Sequence, residues 1–242
     1  RPHLLGNGAI CWDGIEFIIT ERKLAEEQIK RSLAEKETLL RELYHRTKNT
    51  MQVFQSMLNI QAGFYPSNPD LQEVLQKTGQ RVQVIALVHG MLYQGNDLSR
   101  ISLRNFVQSL TSQILTDFSV SGDSIRIIQD VEDLSVLIDI AVPFGLLYNE
   151  LVKNSLQHAF PDGRGEISVV LKSAGEGEIE LRYADNGKGF PEGFDCDNRA
   201  NLGIMLIRMI GERQLLGKVE MNCSGGFFYK IVFRSNLYEE RV

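Results

Sequence analysis

Apolar or small side chains recur at Leu39, Leu43, Thr50, Val53, Met57 and Ile60, in alternating steps of four and three once Arg46 is counted. That rhythm belongs to a helix packing on other helices. His45, Asn49, Gln52 and Ser56 repeat with the same period on the side away from this seam, so His45 is expected to be solvent-exposed at mid-helix. From residue 21 to about 61 there is no Pro or Gly, charge is dense, and Ile29, Leu33, Leu40 and Leu43 keep helical spacing. This predicts one coiled-coil-like helix of about 40 residues, about 60 Å long. Thr20 is a good N-cap and Glu21 suits a first turn. Gly63 and the run Tyr65-Pro66-Ser67-Asn68-Pro69 interrupt the pattern. Asp70 is expected to cap a second helix, in which Leu71, Leu75, Thr78, Val82, Ile85, His89 and Leu92 keep the rhythm up to Tyr93. His89, inside that rhythm, is expected to be a packed, structural histidine. Two such helices make an antiparallel hairpin with a half-covered seam. A second copy completing a four-helix bundle is the natural cover. A following domain of the same chain, or a sensor, is the alternative.

Beyond Tyr93 the pattern changes. Residues 94–99 are polar and turn-rich, and a domain boundary and hinge is expected there. Ser102 is expected to cap a helix running to Phe118, followed by a strand over 124–131 and a helix from Asp139 to Ala159. Strands are predicted over 166–172 and 178–184, a helix over 202–215, and a closing hairpin of 218–222 and 227–233 around Ser224-Gly225-Gly226. At the other end, 12–14 reads as a turn and 15–19 as a short strand. The fold class is therefore α+β: a helical hairpin followed by a two-layer α/β sandwich with its helices on one face of one sheet.

Composition narrows the function. The formal net charge of −5 argues against nucleic acid as a partner. No apolar run is long enough to span a bilayer and no signal-peptide layout is present, so a cytoplasmic location is expected, with a membrane anchor outside the sequence left open. Cys11, Cys196 and Cys223 have no metal-like spacing and are expected to be free thiols. The chain opens on Arg1, which suggests a piece of a longer protein.

Glu150, Asn154 and His158 are four apart on the predicted helix and share a face. A carboxylate, an amide and an imidazole in line suit a hydrated magnesium ion and the phosphates it bridges. Asp185-Asn186-Gly187-Lys188-Gly189 follows a strand directly. Its glycines allow close backbone approach, and its carboxylate can accept from an exocyclic amine. Gly203 stands at a helix start, where free amides bind phosphate.

These elements, in this order, resemble the ATP-binding domain shared by histidine kinases, type II topoisomerases, Hsp90-like chaperones and MutL-like proteins (GHKL type), over about residues 100–236. The resemblance implies that Asn154 ligates magnesium, Glu150 holds magnesium-bound water and Asp185 binds the adenine amine. It places Asn149, Lys153, His158, Gly187, Gly189, Leu202, Gly203 and Gly226 beside the nucleotide. The family usually has Thr after Gly225-Gly226, where this chain has Phe227.

Upstream, Glu42-Leu43-Tyr44-His45-Arg46-Thr47-Lys48-Asn49, followed by Gln52, resembles the phospho-acceptor box of a subclass of two-component sensor histidine kinases in which Arg follows the acceptor (HisKA_2/HWE-like). Arg81, Ile85, Ala86, His89, Leu92 and Tyr93 are similar to that subclass's second hairpin helix. The resemblance implies a dimerisation and phospho-acceptor hairpin over 38–95, fed by a signalling helix over 21–44. Residues 1–20 resemble the tail of a PAS sensor domain, or are simply a strand leading into a helix. Implied too are ATP and Mg2+ as cofactors, transfer of the γ-phosphoryl to His45, a response regulator receiver domain as next acceptor, an upstream sensor and a homodimer. Glu42 is expected to orient the ring, Arg46 and Lys48 to steady the phosphate, and Asn49 to position water. The competing readings are a degenerate nucleotide-binding scaffold, supported by Phe227, and an ATPase clamp.

Overall fold

In the computed structural model of the protein the described residues are 2–4, 6–8, 10–12, 20–94, 99–118, 124–190, 202–223 and 225–236. They fall into two compact units, 1–40 and 41–242. In the first unit, β1 (Pro2–Leu4) and β2 (Ile10–Trp12) pair antiparallel. Trp12, expected in a turn, instead closes β2. The strand expected over 15–19 lies outside the described residues.

α1 (Thr20–Phe64) is a single helix of 45 residues. It runs through Gly63, since one glycine costs a helix only about 1 kcal/mol. α2 (Pro69–Gln94) follows. Its cap is Asn68 rather than Asp70: the Asn68 Oδ1 accepts from the Leu71 N–H at 3.0 Å. Pro69 then occupies the first helical position, where its missing N–H is harmless, and Asp70 contributes its charge to the first turn.

The hairpin forms, but not on the expected seam. Leu43, Val53, Met57 and Ile60 are all more than half exposed, at 57%, 53%, 54% and 60%. The neighbouring stripe faces α2 instead: Tyr44 packs on His89 with ring centroids 5.8 Å apart, and Gln55 Nε2 donates to Gln83 Oε1 at 3.3 Å. Leu58 faces Gly79 and Lys48 faces Gly90. α2 thus packs on a mixed stripe of α1, and the more apolar stripe beside it is left uncovered.

The remaining chain builds the sandwich. β3 (Arg100–Ser102) leads into α3 (Leu103–Asp117), where Ser102 Oγ accepts from the Asn105 N–H at 3.4 Å, the expected cap. β4 (Ile125–Val131) and β5 (Ser135–Leu137) precede α4 (Ile138–Asn154), which continues as a π-helical turn over Ser155–Ala159. β6 (Gly165–Gly175) and β7 (Glu178–Asp185) follow. Then come α5 (Leu202–Met209) with a π-helical turn (Ile210–Gln214), β8 (Lys218–Asn222) and β9 (Phe227–Arg234). The five-stranded sheet has the order β4-β6-β7-β9-β8, parallel only between β4 and β6. β3 and β5 form a separate antiparallel ribbon that three-residue strands are too short to announce.

Strand alternation puts Val169, Leu171, Leu181, Tyr183, Tyr229 and Ile231 on the buried face, against Phe106, Phe144, Tyr148 and Leu151. Phe144 holds the layers together, 6.3 Å from Tyr148 and 6.1 Å from Phe233 by ring centroid. Val84, Val88 and Leu92 of α2 join this core, each worth roughly 1.5–3 kcal/mol on burial. The sandwich therefore covers one face of the hairpin. A side chain at Gly145 would meet Val84 at 2.9 Å, so this glycine lets α2 lie on α4. The hairpin and the sandwich form one compact unit; the hinge expected over 94–99 falls largely on residues outside those described.

Candidate active site

His45 is exposed, as expected, together with Asn49, Gln52 and Ser56. Its ring lies against Tyr93, 5.5 Å between centroids, and its Nδ1 is 3.5 Å from Asn49 Nδ2. Glu42 turns to Arg46 instead, with Nε donating to Oε1 at 2.7 Å. That hydrogen bond and the Arg46 charge hold the Glu42 carboxyl below its usual range. Asn49, not Glu42, therefore stands beside the imidazole. The sequence reads Tyr93 as the end of a rhythm and as part of the likeness to a second hairpin helix, with no role beside His45; Arg41 fixes its position by donating to the Tyr93 carbonyl at 2.9 Å. His89 is half-buried against Tyr44, its Nδ1 has no hydrogen-bond partner among the described residues, and burial lowers its pKa. It is the packed histidine expected.

A cavity of about 430 Å³ opens between α2 and the sandwich, within the size range of small-molecule sites. α4 and its π-helical extension supply Glu150, Lys153, Asn154, Ser155 and His158. The extension widens the helix at Ser155, so the even spacing of four assumed for a straight helix ends there. Glu150, Asn154 and His158 nonetheless reach the same wall. β7 and its following loop supply Asp185, Lys188, Gly189 and Phe190; α5 supplies Gly203 and Ile204; β9 supplies Phe227.

Asp185 is buried and held by three donors. Ser155 Oγ donates to its Oδ2, while the Gly187 and Phe227 N–H groups donate to Oδ1 at 3.0 and 3.2 Å. Tyr183 backs this set, its hydroxyl donating to Ser155 Oγ at 2.8 Å, and burial pushes its pKa well up. Phe227, which stands where a hydroxyl was expected, contributes its backbone N–H to Asp185 and its ring to the wall, 6.0 Å from that of Phe190.

Not every predicted residue reaches the cavity. Gly187 is off the wall: a side chain there would run into Ala159, and the Lys188 N–H donates to the Ala159 carbonyl at 3.0 Å. Its role is to let the loop dock on the π-helical turn. Gly226, at φ 113°, backs on the Asp185 carbonyl. Asn149 is buried on another side of α4, against a smaller cavity lined also by Val84 and Leu110. Leu202 opens α5, its side chain outside the described ones.

Lys153 is only 7% exposed, and burial pushes its pKa down to about 8 against the pull of Asp117 and Glu150. Lys77, Gln80 and Arg81 reach the wall from α2. The sequence assigned none of these three to the nucleotide site, because only the tertiary packing of α2 on α4 brings them there. Arg81 Nε donates to Glu150 Oε1 at 3.0 Å.

Among the described residues no cluster of three or more His, Cys, Asp or Glu could cage a metal ion. One carboxylate and one amide, Glu150 and Asn154, do fit magnesium, which keeps most of its waters and leans on phosphates. Cys223 is disulfide-bonded, which corrects the free-thiol expectation for it; its partner lies outside the described side chains. No helix among the described residues is long and apolar enough to cross a membrane.

Residues 42–118 match the family HisKA_2, histidine kinase. The chain is 32% identical over 193 residues to the sensor histidine kinase PdtaS of Mycobacterium tuberculosis, a match covering 79% of this chain and 38% of that protein. It is 29% identical over 183 residues to the blue-light-activated histidine kinase 2 of Erythrobacter litoralis, covering 71% of this chain and 49% of that one. The chain thus spans well under two thirds of these relatives. A solved blue-light activated histidine kinase from Erythrobacter litoralis shares the fold, with a TM-score of 0.64 at 20% identity over 84% of this chain and 62% of that one. The chain is thus similar to the HisKA_2 histidine kinases over residues 42–118, and it shares its α+β fold of helical hairpin and sandwich with a solved histidine kinase.

Proposed function

We propose that this chain is the catalytic part of a sensor kinase that moves the γ-phosphoryl group of ATP to His45, and that the phosphoryl then passes to an aspartate of a response regulator receiver domain. The observation that carries the reading is the pairing of an exposed imidazole on the hairpin with a cavity combining Asp185, two aromatic rings and a set of cations. In this reading 38–95 is the phospho-acceptor and dimerisation hairpin and 100–236 the ATP-binding domain. Asp185 accepts from the exocyclic amine of adenine, and Phe190 and Phe227 flank the base. Lys153, Lys188 and the Gly203 end of α5 take the phosphates, with His158 beside them. Glu150 and Asn154 hold the magnesium ion, whose charge neutralises the phosphate oxygens.

A neutral imidazole nitrogen of His45 forms the new N–P bond while the bond from the γ-phosphorus to the bridging oxygen breaks, and ADP leaves with that electron pair. With its amide turned so that Oδ1 accepts from Nδ1–H, Asn49 leaves Nε2 with its lone pair outward. Arg46 and Lys48 lie close by to steady the incoming charge. The cavity meets α2 at Lys77 and Arg81, whereas His45 lies against Tyr93. Twelve residues of helix separate Arg81 from Tyr93, about 18 Å along the axis. Transfer therefore needs the sandwich to shift along the hairpin, or a second chain to present its nucleotide. The exposed stripe of Val53, Met57 and Ile60 suits a second copy.

The test is incubation with γ-labelled ATP and magnesium, followed by mapping of the modified residue. Acid-labile, alkali-stable label on His45, lost in His45→Ala while nucleotide binding persists, is the expected result. Label that persists in His45→Ala places the acceptor elsewhere. Sustained ATP turnover without labelled protein supports the ATPase clamp instead.

A further inference from the structure

We infer that Arg81 reads the phosphate tail of the nucleotide and that Glu150 is its partner when the tail is absent, so that the second hairpin helix forms part of the nucleotide site. The inference rests on the nucleotide reading of the cavity and adds to it a residue from outside the sandwich.

Arg81 leaves α2, crosses to α4 and donates through Nε to Glu150 Oε1 at 3.0 Å. The side chains are 32% and 13% exposed, so the pair is partly withdrawn from water. Both belong to the cavity wall, beside Lys153 and Asn154. A guanidinium bound through Nε keeps its two terminal nitrogens for other acceptors, and its fork matches phosphate oxygens better than an ammonium does. Gly145 matters here: it lets α2 lie on α4, so the backbone that carries Arg81 is pressed to the rim of the cavity.

Phosphate oxygens entering this wall compete with the Glu150 carboxylate for one cation. Their arrival releases Glu150 and removes the ion pair that fastens the sandwich to α2 about 18 Å from the level of His45. Arg81 thus links the filling of the cavity to the freeing of the domain that must move.

The test is a double-mutant cycle on the full chain, with affinities for ATP and adenosine measured by displacement of a fluorescent nucleotide in the absence of magnesium. In the Glu150→Gln background, Arg81→Gln is expected to weaken ATP by about tenfold or more, the scale of a charge-assisted hydrogen bond, and to leave adenosine within twofold. In the wild-type background the same substitution loses less, because the Glu150 pair no longer has to be broken. Arg81→Lys recovers part of the ATP affinity. Unchanged ATP affinity in the Glu150→Gln background overturns the inference, and so does an equal loss for adenosine, which reports damage to the wall. Equal ATP losses in both backgrounds overturn the exchange with Glu150. Failure of the wild-type chain to bind either ligand strikes the nucleotide reading itself, a separate result.

Discussion

Replacing Lys153 by Met should make the protein more stable and a poorer binder of nucleotide. Burial holds this ammonium at a pKa of about 8, against an ordinary value of 10.5. At about 1.4 kcal/mol for each tenfold change in the proton equilibrium, that displacement corresponds to roughly 3 kcal/mol. At pH 7, below both values, the folded and unfolded chains are both protonated and the fold bears the whole cost. Between pH 8 and 10.5 the folded chain gives up its proton first, the unfolded chain binds more protons, and stability rises with pH. Met keeps the length and the packing without the charge. Allowing for water that still reaches the ammonium head, the gain at pH 7 is roughly 1.5–3 kcal/mol, or about 4–10 °C in Tm for a unit of this size. Thermal unfolding followed by circular dichroism at pH 7.0 and 9.5 measures it: the advantage of the variant should be large at the first pH and shrink at the second. Nucleotide affinity should fall at the same time, because the strained cation is the one that phosphate relieves. A variant no more stable than wild type at pH 7, or an advantage independent of pH, refutes the reasoning.

Asp185→Asn should abolish measurable ATP binding in the same displacement assay and cost about 1–3 kcal/mol of stability, since the amide sets a donor against the donors now aimed at the carboxylate. Stability should fall as pH drops below 6.5, because the unfolded chain protonates His89 first while burial keeps the folded ring neutral; urea titrations of wild type and His89→Gln should differ in slope over that window, and parallel curves would exonerate His89. Met57→Glu puts a charge on the exposed stripe of α1. If that stripe is the self-association face, sedimentation should show the variant as monomer where wild type is dimer, with ATP affinity unchanged.

Much of this protein could be read from its residue order. The long rod, the second helix, the Ser102 cap and the strands over 125–131, 178–185, 218–222 and 227–234 follow from local periodicity and from cap and turn chemistry, which neighbours in sequence control. The exposure of His45 was legible for the same reason, since a polar residue in a polar stripe has one side to face. Where local rules offered two answers the reading slipped: Asn68 outcompeted Asp70 for the cap because Pro69 fixes the register, and the apolar stripe of α1 lost its place against α2 to one that meets Gly79 and Gly90.

The sequence by itself therefore determined most of the elements, the acceptor-like histidine and seven of the residues that line the cavity. Tertiary structure alone decided which of them meet. It turned Gly187 from a wall residue into a packing contact on Ala159, brought the Phe227 N–H to Asp185, and carried Lys77 and Arg81 from the hairpin into a cavity built by the sandwich. The physical reason is range. Periodicity and capping act over a few residues, whereas the partner of Arg81 lies 69 positions away and is chosen by how Val84, Val88 and Leu92 find a common core with α4.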